Sequence, residues 1–169
     1  MNQIKTRYGI LGIGNLLLSD EGFGVHVVRS LEENYQFPES VDLLDAGTAG
    51  IYLAPFLEEH DTVLVIDVIA MTAAPGSIHW FKGDELRASG AHGRMSPHQL
   101  GFLEILDICR LRNAAPAELE FYCAVPEDLN GGLELSDTVA PQVAKVCQQI
   151  VRRLEADGLH IRQVVKQDA

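Results

Sequence analysis

Apolar positions along the chain change period several times, and each change predicts an element. Tyr8-Gly9-Ile10-Leu11 is a short apolar run ending in Gly12-Ile13-Gly14-Asn15, which predicts a buried strand followed by a tight turn. Val25, Val27, Val28 and Leu31 then supply a helical stripe behind Ser19 or Asp20 as cap, and the pattern fades near Gln36-Phe37-Pro38. Val41 to Asp45 reads as a second strand, and Gly47-Thr48-Ala49-Gly50 turns into a second helix reaching about Glu59. Thr62 to Asp67 is the most continuously apolar strand, as expected of a central parallel strand covered on both faces. Pro75-Gly76 marks a turn before Ser77 to Phe81, expected as an antiparallel edge strand, and a long polar loop is expected from about Lys82 to Met95. A helix follows from Pro97 to about Leu111, and Glu118 to Val125 makes the last main strand. Val139, Val143, Val146, Ile150, Val151 and Leu154 set a final helix from about Asp137 to Ala156, leaving a polar tail, 158–169, expected to be mobile.

Strands alternate with helices, and neither a repeat nor a linker divides the chain. The pattern predicts an α/β fold in a single three-layer domain spanning 1–169, a mostly parallel twisted sheet with helices on both faces. Functional groups in such sheets gather outside the carboxyl ends of the strands, so the loops after the first three strands are the place to look.

Charge narrows the partners. Thirteen basic against 24 acidic residues give a net charge of −11, and no Lys/Arg cluster makes a nucleic-acid footprint, so a basic or neutral protein partner fits better. Cys109, Cys123 and Cys147 are odd in number and lack CxxC spacing, which indicates neither a disulfide framework nor a thiolate zinc site and suits a reducing cytoplasm. Residues 1–7 are polar, and no apolar stretch approaches the roughly 20 residues that span a bilayer, so a soluble cytoplasmic protein without a membrane partner is expected. Nothing in the pattern demands more than a monomer.

Gly12-Ile13-Gly14 invites a dinucleotide reading, but Leu17 stands where the third glycine should be, and Gly22 and Gly24 come too late to repair it. Ser96-Pro97-His98-Gln99 is a stronger signal. Ser96 can cap a helix, Pro97 suits its first position and Gln99 can reach back to the cap, so His98 falls in the first turn. There the positive end of the helix dipole favours the neutral, metal-ligating imidazole.

Three acids stand near the same rim. Asp20 and Glu21 open the first helix, where carboxylates also simply complement the dipole. Asp67 closes an apolar run and must be paired, hydrogen-bonded or metal-bound to be tolerated there. Glu21, Asp67 and His98 together make a two-carboxylate, one-imidazole set suited to a divalent first-row metal with open positions, with zinc and nickel both admissible. Asp45 ends the second strand, where its carboxylate either fixes the glycine-rich turn or takes part in chemistry. His26, His60, His79, His92 and His160 read as surface or packing residues.

Four segments, taken together, resemble the maturation endopeptidases of nickel-iron hydrogenases. They are Gly12 to Val25, Asp45-Ala46-Gly47-Thr48-Ala49-Gly50, Asp67, and Ser96-Pro97-His98-Gln99-Leu100-Gly101, in order along about 7–155. The resemblance implies a protease that removes a C-terminal extension from the hydrogenase large-subunit precursor after nickel insertion. It also implies Glu21, Asp67 and His98 as metal contacts, Glu21, Asp67 and Asp45 as candidates for the catalysis with the role of Asp45 open, and nickel carried by the substrate with no organic cofactor. The sequence has no Gly-x-Ser-x-Gly elbow, and no cysteine sits in a nucleophile motif, so a covalent intermediate is not expected. A non-catalytic nickel-sensing chaperone for the same subunit is the alternative.

Overall fold

The computed structural model of the chain describes residues 6–48, 50–88 and 97–164, with side chains there apart from those of 51, 86–88 and 97–100. Among the described residues, seven strands and five α-helices follow one another as β1 (Tyr8–Ile13), α1 (Phe23–Asn34), β2 (Tyr35–Gln36), β3 (Val41–Gly47), α2 (Ala54–Glu59), β4 (Thr62–Val68), β5 (Ile78–Lys82), α3 (Gly83–Ala88), α4 (Pro97–Leu111), β6 (Glu118–Ala124), α5 (Ala140–Ala156) and β7 (Arg162–Gln163). Five strands form one sheet in the order β3-β1-β4-β6-β5, parallel throughout except for the antiparallel edge strand β5.

Period-two alternation divides the core between the two faces of that sheet. Tyr8 and Ile10 of β1 and Leu64, Ile66 and Val68 of β4 pack with α1 and α5. Leu11 and Ile13 of β1, Val63 and Val65 of β4, and Phe121 and Cys123 of β6 pack with α2 and α4. β4 is buried at every position, as its unbroken apolar run predicts. The expected three-layer arrangement is therefore present.

The order also fixes where a ligand crevice opens. From β1 the chain crosses by α1 to β3 on one side, and from β3 it returns by α2 to β4 on the other side of β1. The connections diverge between β1 and β4, so the space outside their carboxyl ends is the topological switch point.

Local details depart from the sequence pattern in four places. The first helix is not capped by Ser19 or Asp20: a 3-10 turn, Ser19–Gly22, comes first, and α1 begins at Phe23 with no side-chain cap bond. The expected polar loop opens instead with α3, whose Glu85 accepts the Lys82 N–H at 2.9 Å, the reach-back bond of a capping box. Residues 89–96, including His92 and the Ser96 cap, lie outside the described residues. The tail is tied down at β7, which pairs antiparallel with β2, and Val164 N donates to Asn34 O at 2.8 Å. Finally, α5 starts at Ala140, three residues later than the stripe suggests.

Gly24 lets α1 lie against the sheet. A Cβ there would sit 2.2 Å from Ile66 O and 2.3 Å from Ile13 O, both backbone atoms. Gly24→Ala is expected to push the helix off β1 and β4 and to destabilise the protein by about 3 kcal/mol. Urea unfolding measures this, and an unchanged midpoint would contradict the packing argument.

Candidate functional site

The loop between β1 and α1 carries the first site residue, and glycine makes its path possible. Gly14 adopts φ of +149°, and a Cβ on it would meet Glu21 O at 1.9 Å. The chain then doubles back: Asn15 N donates to Glu21 O at 3.1 Å and Glu21 N to Leu18 O at 3.0 Å. Glu21 is thereby held at the rim, directly outside β1, with its Oε2 shut off from solvent.

The same bonds dispose of the dinucleotide reading on physical grounds. Gly14 N donates to Gly47 O, Leu17 N to Asn15 Oδ1, Leu18 N to Asn15 O, Ser19 N to Gly132 O and Asp20 N to Asp128 O. A phosphate cradle needs free backbone N–H groups, and this loop has committed its own internally.

Asp20 does something the sequence did not suggest. Its carboxylate is fully buried and accepts four hydrogen bonds: Glu127 N at 2.9 Å, Asp128 N at 2.9 Å, Ser136 N at 2.7 Å and Ser136 Oγ at 2.9 Å. Burial by itself would raise its pKa. The N–H groups of Asp128, Ser136 and Glu127 and the Ser136 hydroxyl outweigh that and hold it below the usual carboxylate value. Ser19, at a left-handed φ of 46°, adds a bond from its Oγ to Asn130 O at 3.0 Å. These contacts lock the loop 126–136 onto the Glu21 turn.

Asp67 is the penultimate residue of β4, the strand beside β1, at 2% exposure. Its Oδ1 accepts the Val68 N–H at 2.7 Å, and its Oδ2 is also closed to solvent. By alternation it shares the face of Val63 and Val65, the side covered by α2 and α4. α4 ends at Leu111, just before β6 starts at Glu118, and Arg112 pairs with Glu58 near the end of α2 at 2.9 Å. The helix therefore runs down against the parallel strands, and its first turn, with His98, stands at their carboxyl ends. The His98 side chain lies outside the described residues. Among the described residues no three His, Cys, Asp or Glu side chains form a metal cradle.

Asp45 sits opposite Gly12 on the edge strand β3. Its Oδ1 accepts the Gly47 N–H at 3.2 Å, and its Oδ2 takes Nη2 and Nε of Arg29 at 2.9 and 3.1 Å. Gly47, at φ of +50°, passes its carbonyl to Gly14 N. Asp45 thus holds the turn that supports the Glu21 loop.

Nucleophilic alternatives fit the structure poorly. Burial raises all three thiols, most strongly Cys123, where the Asp67 carboxylate adds to the effect, so none is disposed to be a thiolate. Ser77 Oγ lies 3.0 Å from His79 Nε2, but it donates its proton to Ala74 O at 2.6 Å, leaving His79 nothing to abstract. His60 is buried between Phe56 O at 2.6 Å and Asp42 Oδ2 at 2.8 Å, a packing role as expected.

A cleft of about 530 Å³ lies away from this rim, lined by Trp80, Lys82, Arg110, Glu118, Glu120 and Arg153 at the amino end of β6. Its polar groups bond one another, with Arg153 Nε on Glu120 Oε1 at 2.8 Å and Trp80 Nε1 on Glu120 Oε2 at 2.9 Å. They tie the sheet edge to α5 and stand apart from the crevice.

Comparison with known proteins points to one group. Residues 25–153 match the family model described as hydrogenase maturation protease. The chain is 42% identical over 151 residues to the hydrogenase expression/formation protein HoxM of Azotobacter vinelandii, covering 89% of this chain and 73% of that protein. It is 32% identical over 151 residues to the hydrogenase 2 maturation protease of Escherichia coli, covering 89% and 92%. Among solved structures, the hydrogenase maturating endopeptidase HybD from Escherichia coli superposes with a TM-score of 0.87 at 31% identity, over 94% of this chain and 98% of that one. A hydrogenase maturation protease HybD from Thermococcus kodakarensis gives 0.73 at 28% identity, over 88% and 99%.

Proposed function

The chain belongs to the hydrogenase maturation protease family, endopeptidases acting on the C-terminus of a hydrogenase large subunit, and from that premise we propose that its rim reads the metal of its substrate. Glu21, Asp67 and His98 contact nickel held in the large-subunit precursor, and the peptide next to that nickel is cut. One observation carries this reading: Glu21 just outside β1 and Asp67 next to last in β4 stand at the carboxyl ends of adjacent strands at the switch point, with the first turn of α4 at the same end.

Two carboxylates and an imidazole can fill open positions on a divalent metal whose other ligands come from the precursor. An empty precursor forfeits those bonds, so binding reports completed metal loading. With every thiol buried and its pKa raised, hydrolysis proceeds by direct attack of water. The water oxygen bonds the carbonyl carbon, the C–N bond breaks, the leaving amine takes up a proton, and a new carboxylate remains. Glu21 or Asp67 accepts the proton that the water gives up. Asp45, fixed by Arg29 and the Gly47 N–H, acts by positioning the loop that carries Glu21.

The nickel is the substrate's own, no organic cofactor is involved, and the whole chain forms one catalytic domain. No helix among the described residues is long and apolar enough to cross a membrane, and the charge of −11 disfavours nucleic acid. In this reading the protein acts as a monomer and meets its precursor in the cytoplasm.

The test is to mix the purified protein with a nickel-loaded or a nickel-free large-subunit precursor and weigh the products by intact mass spectrometry. Loss of a C-terminal peptide from the loaded form alone is expected. Cleavage of both forms would remove nickel as the recognition element, and cleavage of neither would overturn the reading.

A further inference from the structure

Apolar side chains exposed together on one surface mark interaction sites, whereas ones scattered singly do not. Leu17 is 66% exposed, Leu129 48% and Leu133 65%, and all three come from the two loops stitched together beside Glu21. The stitching is reciprocal: Ser19 N donates to Gly132 O at 2.9 Å and Gly132 N to Leu17 O at 3.0 Å, making a parallel bridge between Leu18 and Gly132. Asp20 fastens both ends of the second loop, at Glu127 and Asp128 on one side of Gly132 and at Ser136 on the other. The leucines are therefore presented by a backbone whose ordering is already complete, the condition under which apolar contacts yield binding energy with little further loss of entropy.

Charge says what kind of surface fits there. Residues 8–28 and 113–144 contain no Lys or Arg, while Glu127, Asp128, Glu134 and Asp137 frame the leucines. Two copies of this chain, each with a net charge of −11, would bring like charges together across the patch.

We propose that Leu17, Leu129 and Leu133 form a docking ledge for the folded body of the large-subunit precursor, meeting an apolar patch framed by Lys and Arg. The inference rests on the reading that this chain processes such a precursor, and it adds a second contact outside the nickel rim. Docking on the ledge sets the orientation in which the nickel and the adjacent peptide reach Glu21 and Asp67. Specificity among precursors then resides in the ledge, while the metal contact is common to any loaded subunit.

The test compares the wild type with the triple variant Leu17→Ser, Leu129→Ser, Leu133→Ser, using a nickel-loaded large-subunit precursor as probe. Binding is measured by biolayer interferometry, and initial rates are taken over a range of precursor concentrations. Kd and KM are expected to rise at least tenfold, with kcat within twofold and the urea midpoint unchanged, because exposed leucines contribute little to the core. Wild-type affinity that falls as salt is raised is also expected, since the framing charges are exposed. An unchanged Kd in the triple variant overturns the ledge. So does micromolar self-association of the wild type, seen by sedimentation and abolished in the variant, because a second copy would then occupy the patch. If the wild type binds the precursor but never cleaves it, the endopeptidase reading fails while the two Kd values still decide the docking surface.

Discussion

His98→Ala is expected to lower processing of the nickel-loaded precursor at least about a hundredfold while leaving the fold intact. Substitutions one shell removed from a metal already cost about 10–100-fold, and in the proposed site this one deletes a direct contact. The fold survives because α4 is held by Phe102, Leu103, Ile105, Leu106 and Cys109, all buried and all beyond His98 on the helix. Asp67→Asn is the paired experiment. The amide keeps an oxygen for the Val68 N–H, so the end of β4 stays in place while the charge is lost. Circular dichroism and thermal melting check the fold, and intact mass over time checks the rate. Near-wild-type processing by both variants would remove these residues from the site, whereas loss of helical signal in His98→Ala would contradict the packing argument.

The parts of the site that were legible in the sequence are those whose chemistry is local. Asp67 was visible because a carboxylate closing an apolar strand needs a reason, whereas the register that places β4 beside β1 comes from the sheet order and not from the alternation of strands and helices. His98 was visible because Pro97 and Gln99 mark a helix start, and α4 does begin at Pro97. Asp20 was read as a helix-end charge because nothing near it in sequence hints at partners more than a hundred residues away. Its donors, Glu127, Asp128 and Ser136, are mostly backbone groups, which leave no mark on side-chain pattern. Asp45 lay between: its bond to Gly47 is an ordinary Asx turn and readable, but the Arg29 partner depends on how α1 lies over β3. β2 and β7 escaped because two-residue strands are too short to show a period.

Asp20→Asn tests whether the clamp is what holds the rim together. The amide replaces one acceptor oxygen with an NH₂ group, which must then face either Ser136 N–H or the pair of N–H groups from Glu127 and Asp128. Donor against donor in a fully buried position loses charge-assisted bonds and leaves N–H groups unpaired, a destabilisation of about 3 kcal/mol. The pH dependence has a definite sign. Asp20 titrates below its ordinary value of 3.8 in the folded state, so its contribution is present above that pH and disappears as the pH falls through the lower folded pKa. Urea unfolding of the wild type should accordingly weaken on acidification below about pH 4 by more than it does in Asp20→Asn, because the variant has nothing left to titrate at that position. Hydrogen exchange locates the effect: the amides of Glu127, Asp128 and Ser136 should exchange slowly in the wild type and quickly in the variant, with β4 amides unaffected. Slow exchange retained at all three amides in the variant would mean that the loop is held by something other than Asp20. Loss of protection at those sites together with a raised KM would connect the buried carboxylate to the ledge it carries, since loosening the loop displaces Leu129 and Leu133.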